Sequence, residues 1–206
     1  MYKRQGLEQR QQGQQAGLAH ESQNARHVGQ VLTYCAPNVA VIALQKGETM
    51  TVNPIPEGYT TVTPWIISQD TAGIIGYLEA AFDAVELGRV TDAEGRIGHA
   101  EVRIGDAIVM LFDAAQDAEP TPAFLRLYVP DADATHRQAV AAGGTSHTEV
   151  THLYWGDRVG RVRDPFGNLW WIQSRVEEVS AEEMTRRLSD PVFVRAMEYV
   201  QGVRDR

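Results

Sequence analysis

Apolar and polar residues alternate with a period of two on both sides of Asp164-Pro165-Phe166-Gly167-Asn168, and the rest of the chain is organised around that hairpin. Before the turn, Val159, Arg161 and Arg163 interleave with Gly160 and Val162; after it, Leu169, Trp171 and Gln173 interleave with Trp170 and Ile172. A period of two gives a strand two faces. Here one face carries rings and guanidinium groups and the other apolar residues, which predicts a sheet with a core side and a working side. Pro165 presets φ for the second turn position, Gly167 supplies a positive φ, and Asp164 is expected to cap the turn.

Upstream, residues 59–68 are β-rich, and Asp70 is placed to cap a helix over 71–82 with Ile74, Ile75, Leu78 and Phe82 on one stripe. Strands are predicted over 85–91, 96–104 and 107–112, the last two joined by the two-residue hairpin signal Gly105-Asp106. In the 96–104 strand Ala100, Val102 and Ile104 share one face, and His99, Glu101 and Arg103 share the other. After a linker over 115–122 the order recurs: a strand over 124–129, a helix ending before Gly143-Gly144 (its C-cap), a weaker strand over 146–151, and the hairpin. Two βαβββ units in tandem predict an α+β fold in which a curved mixed sheet surrounds a cup, with the helices outside. The modules span about 59–113 and 122–175 of a domain over 53–176. Beyond it, Ser180 with Glu183 has capping-box spacing, and Pro191 opens a further helix carrying Val192, Val194, Met197 and Val200. Residues 177–206 are therefore expected to be a helical appendage covering sheet or subunit surface. Residues 1–52 are Gln-rich and polar, and the expectation there is a disordered leader.

Composition narrows the function by exclusion. A formal net charge of −8 over 206 residues argues against a nucleic-acid partner. Cys35 is the only cysteine, so an internal disulfide and a cysteine zinc cluster are both out of reach. No apolar run approaches the ~20 residues of a membrane helix, and the opening MYKRQGLEQRQQ lacks the apolar stretch of a secretory signal. A cytoplasmic protein with no membrane partner is the expectation.

The doubled βαβββ order, with HAEVRIGDAIVML in the first half and WGDRVGRVRDPFGNLWWI in the second, resembles the vicinal oxygen chelate superfamily. That superfamily includes glyoxalase I, extradiol dioxygenases, fosfomycin-resistance enzymes and bleomycin-resistance proteins. The segment WGDR-x-G-x-x-x-DPFG is most similar to the bleomycin-resistance and PhnB-like branch. The resemblance implies metal ligands on the first and last strands of each module, and those positions hold Thr63, Met110, Phe124 and Trp171. None is a ligand for a divalent ion in such a site, so no metal cofactor is expected. The resemblance further implies a homodimer that sequesters a small molecule.

On the alternation above, the working face collects Trp65, Ile67, His99, Glu101, Met110, Phe112, Phe124, Arg126, Tyr128 and Trp171, and the resemblance implies that Trp155 and Arg158 border the ligand groove. Aromatic walls with a few polar groups suit a small planar or aromatic ligand; the alternative is a packed core. His99 and Glu101 point the same way from one strand. They are either a general base with its orienting partner, or two ligands of an off-pattern metal site, or a hydrogen-bonded pair that fixes the sheet. The first two readings would make the protein a glyoxalase-type lyase or isomerase. His136 is expected on the solvent side of its helix.

Overall fold

The structure is a computed structural model that describes residues 52–202. The leader expected over 1–52 lies, but for its last residue, outside the described residues. Each module threads strand, helix and three strands: β1 (Trp65–Ser68), α1 (Thr71–Phe82), β2 (Val85–Thr91), β3 (Ile97–Ile104) and β4 (Ala107–Asp113), then β5 (Phe124–Tyr128), α2 (Ala132–Ala141), β6 (Thr145–His152), β7 (Asp157–Arg163) and β8 (Leu169–Arg175). The sheets have orders β1-β4-β3-β2 and β5-β8-β7-β6, with the first and last strands of each module parallel. Two further helices follow, α3 (Ala181–Arg187) and α4 (Pro191–Gly202). The α+β class, the tandem modules and the C-terminal helices are as the sequence predicts.

Local chemistry places these elements. Asp70 and Asp131 accept from the Gly73 and Ala134 amides and start α1 and α2. Asp113, at the end of β4, accepts from the Thr71 and Ile97 amides, tying α1 and β3 to one carboxylate. Ser180 accepts from the Glu183 amide as the capping spacing predicts, while the Glu183 carboxylate turns to Arg186 and Arg187. The first strand is shorter than its β-rich sequence suggests. Thr60 Oγ1 bonds the Val62 carbonyl and Thr63 Oγ1 the Thr60 carbonyl, so side chains hold a bend where a ladder would otherwise extend.

The two sheets are separate, and the helices join them. Tyr77 donates to the Ala139 carbonyl at 3.3 Å, Gln138 donates to the Ala80 carbonyl at 3.0 Å, and the Phe82 and Trp170 rings lie 4.9 Å apart. One core therefore runs from Ile66, Val102 and Leu111 through both helices to Val162, Trp170 and Ile172. The helices, expected outside, lie instead at the seam between the modules. The reason lies in α1, whose Ile74, Ile75, Leu78 and Ala81 are buried together with Tyr77 and Phe82, an apolar surface wide enough to serve both its own sheet and the second module.

His136 is likewise inside, contrary to the expectation of a solvent-facing side chain. It is 4% exposed, with Nε2 3.1 Å from the Thr148 carbonyl and from Ser146 Oγ. Gly160 makes the room: a Cβ there would lie 2.9 Å from the imidazole Cδ2 and 2.8 Å from Val150 Cγ2.

Candidate functional site

The period-two strands turn their second faces away from the helical core. On the first sheet one row runs Gly88, Glu101, Met110, Trp65 across four strands, with Ile67 paired to Phe112 in the row beside it. The Trp65 ring lies 5.3 Å from Phe112 and 6.1 Å from His99. Trp65 is 48% exposed and His99, Glu101, Met110 and Phe112 are half-buried, so this face is a shallow aromatic bed with a polar centre. That centre is a hydrogen bond of 3.0 Å between His99 Nε2 and Glu101 Oε1, joined by the Tyr59 hydroxyl donating to the same carboxylate.

Partial burial raises the Glu101 carboxyl, but the bonds from Tyr59 and His99 outweigh it and hold the group below the usual carboxylate range. Burial and the Glu101 charge push the Tyr59 phenol up to about 12. A carboxylate depressed in the folded state stabilises the fold above its unfolded pKa, and that contribution is lost as pH falls through the folded value. Glu101→Gln is therefore expected to flatten the acid limb of a melting-temperature profile from about pH 5 downward. An unchanged limb would mean that the network contributes nothing to folding.

The second sheet presents Phe124, Arg126 and Tyr128 on β5, with Phe124 62% and Tyr128 63% exposed. Across the strands the row is Arg126, Trp171, Arg161. The Arg126 guanidinium carbon lies 4.9 Å and that of Arg161 5.9 Å from the Trp171 ring centroid. Trp171 itself is 6% exposed and belongs to a small second core with Leu153, Val159 and Val200, against which Trp155, Ala196 and Met197 pack. The helix α4 thus lies on part of the working face of this module, anchored further by the Glu149 amide donating to the Tyr199 hydroxyl at 2.8 Å.

The proposed site residues fall into three groups. Trp65, His99, Glu101, Met110 and Phe112 gather on the first sheet, and Phe124, Arg126, Tyr128 and Trp171 gather on the second. Trp155 packs edge-on against Tyr154 at 4.8 Å, and Arg158 is committed to Asp133 on α2 by two bonds of 2.7 and 2.8 Å. Asp157 and Arg158 do not pair locally; Asp157 accepts from Gln173 at 2.8 Å. Two participants escaped the sequence reading. Tyr59 looks like the start of a strand, and only its hydroxyl on Glu101 reveals it; Arg161 stands on the guanidinium-bearing face of the hairpin, and only the strand pairing sets it across from Trp171.

The positions where the family pattern has ligands offer a hydroxyl, a thioether and two aromatic rings. Thr63 stands ahead of β1 and is bonded to the Thr60 carbonyl, and the Trp171 indole nitrogen has no lone pair to give. His99 with Glu101 is a two-donor pair, and among the described residues no three His, Cys, Asp or Glu side chains group to hold an ion. This donor set does not fit a divalent metal. A cleft of about 540 Å³ opens at the seam instead, lined by Phe82, Ile104, Asp106, Arg126, Tyr128 and Thr135 among others. Among the described residues no helix is long and apolar enough to cross a membrane.

The profile of the Glyoxalase/Bleomycin resistance protein/Dioxygenase superfamily matches residues 60–172. The uncharacterized protein Rv0887c of Mycobacterium tuberculosis is 35% identical over 169 residues, 77% of this chain and 97% of its own length. Among solved structures, TioX from Micromonospora sp. ML1 is similar at a TM-score of 0.49 and 24% identity, covering 57% of this chain and 99% of TioX. The fosfomycin resistance protein FosX from Mesorhizobium loti is similar at 0.43 and 18%, covering 64% and 98%.

Proposed function

Because this chain belongs to the Glyoxalase/Bleomycin resistance protein/Dioxygenase superfamily, we propose that it binds a small planar or aromatic molecule without a metal, on the sheet faces turned away from the helices. The observation that carries this reading is the half-exposed cluster of Trp65, Phe112 and His99 around the Glu101 carboxylate. Rings that are exposed on one side and fixed on the other stack on a flat ligand at little conformational cost. The role is sequestration in the cytoplasm, of the kind the bleomycin-resistance and PhnB-like branch suggests. A homodimer completes the site: Trp65 on one sheet and Phe124 and Tyr128 on the other are large exposed apolar groups, and a second copy would cover them around the ligand.

The second reading is a glyoxalase-type lyase or isomerase in which Glu101 orients His99 as a general base, and the 3.0 Å bond between them favours it. Calorimetric titration with planar aromatic compounds separates the two. Sequestration predicts that Trp65→Ala weakens binding by about ten-fold or more while His99→Ala stays within about two-fold. Catalysis predicts turnover that His99→Ala abolishes. Trp171→Ala is a poor probe, since its indole is buried beneath α4 and its loss would disturb the fold. The metal-free reading is tested by elemental analysis after incubation with nickel, zinc, manganese and iron; tight stoichiometric retention of any of them would overturn it.

A further inference from the structure

We infer that the ligand carries a carboxylate, and that Arg126 is the residue that grips it. This rests on the small-molecule reading above and specifies its chemistry. Five other arginines of the described chain pair with carboxylates, Arg89 with Glu86, Arg158 with Asp133, Arg175 with Glu178, Arg186 with Glu183 and Arg187 with Glu177, and Arg96 and Arg163 donate to the Ala114 and Gly167 carbonyls. Arg126 is different. It is exposed, it makes no hydrogen bond or ion pair among the described residues, and its one contact of note is the face of the Trp171 ring.

A guanidinium set over an indole keeps its N–H donors, which lie in its own plane, available at the edge. The ring fixes the cation without using its donors. Two carboxylate oxygens match that fork, and a charge-assisted bidentate pair is far stronger than a bond to a neutral amide. Phe124 and Tyr128 flank Arg126 at alternate positions of the same strand, so all three project from one face of β5. Their rings offer stacking surfaces on either side of the cation. Arg126 and Tyr128 also line the seam cleft of about 540 Å³, a volume suited to a small ligand. The body of a carboxylate held at Arg126 would lie along the outward face of β5, against the exposed Phe124 and Tyr128 rings. The site lies on an acidic chain of net charge −8, so local geometry rather than overall charge must draw the anion.

The test compares two isosteric pairs, benzoate with benzamide and 1-naphthoate with 1-naphthamide, by calorimetry on the full chain and on Arg126→Gln and Arg126→Lys. The native protein is expected to prefer each acid by about ten-fold or more. Arg126→Gln should remove the preference while leaving amide affinity within about two-fold, and Arg126→Lys should restore only part of it, because an ammonium lacks the fork. The preference should shrink as salt rises. Equal binding of acid and amide to the native protein, or a preference that survives Arg126→Gln, overturns the inference and leaves the small-molecule reading standing. Failure of all four probes to bind overturns both.

Discussion

Asp164→Ala is expected to destabilise the protein by about 3–5 kcal/mol, the sum of several charge-assisted bonds lost together. The carboxylate is 3% exposed and every one of its bonds is internal. Oδ1 accepts from the Phe166 and Asn168 amides at 2.9 Å, and Oδ2 accepts from the Asn168 side chain at 2.8 Å and the Trp170 indole at 3.0 Å. Alanine would leave those donors buried and unmatched, and each orphan costs about 1–3 kcal/mol before the surroundings relax. For a chain of this size the loss corresponds to a melting temperature lower by about 10 °C or more. Near-ultraviolet circular dichroism should report it as well, because the Trp170 indole loses its hydrogen bond and its fixed setting against Phe82. A loss below about 1 kcal/mol would mean that Pro165 and Gly167, whose φ is 96°, hold the turn by backbone geometry alone.

The second large effect is expected at Gly160→Val, with about 3 kcal/mol lost. The new side chain would occupy the space that the His136 ring fills, and a Cβ would already press on the imidazole at 2.9 Å and on the Thr148 carbonyl at 3.2 Å. Displacing the ring breaks its bond to that carbonyl and detaches α2 from β6 and β7. The double variant with His136→Ala gives a direct check by chemical denaturation. Removing the ring should recover part of the loss, giving a positive coupling between the two sites. Simple additivity would show that the clash lies with Val150 instead.

The secondary structure was legible because both periods were clean. In β3 the alternation of Ala100 and Val102 with His99 and Glu101 appears in the structure as a buried and a half-exposed face. The turn at Asp164 was legible from residue chemistry alone, since Pro165 and Gly167 each restrict the backbone in a known way. What a local pattern does not carry is the partner of each face. Nothing near His136 in sequence announces that Gly160, 24 positions on, leaves a hole for its ring. Arg158 has the same difficulty: the resemblance sets it beside a groove, yet Asp133 on another element takes both ends of its guanidinium. The make-up of the candidate site, rings with a few charges, can be read from the strands, but its arrangement cannot. Its arrangement depends on which side of the two sheets the helices occupy, and that is settled by the breadth of the apolar surface of α1 against the second module.

The seam has one more consequence. Among the described residues no strand of one sheet pairs with a strand of the other, so every ladder hydrogen bond there is closed within its own module. Side chains hold the halves together, and the segment over 114–123 acts as their tether. A short tether of this kind holds two partners at an effective concentration in the millimolar range, so even a modest side-chain interface stays formed. Cutting it would leave both ladders whole and turn a folding property into a dilution-dependent association between two fragments.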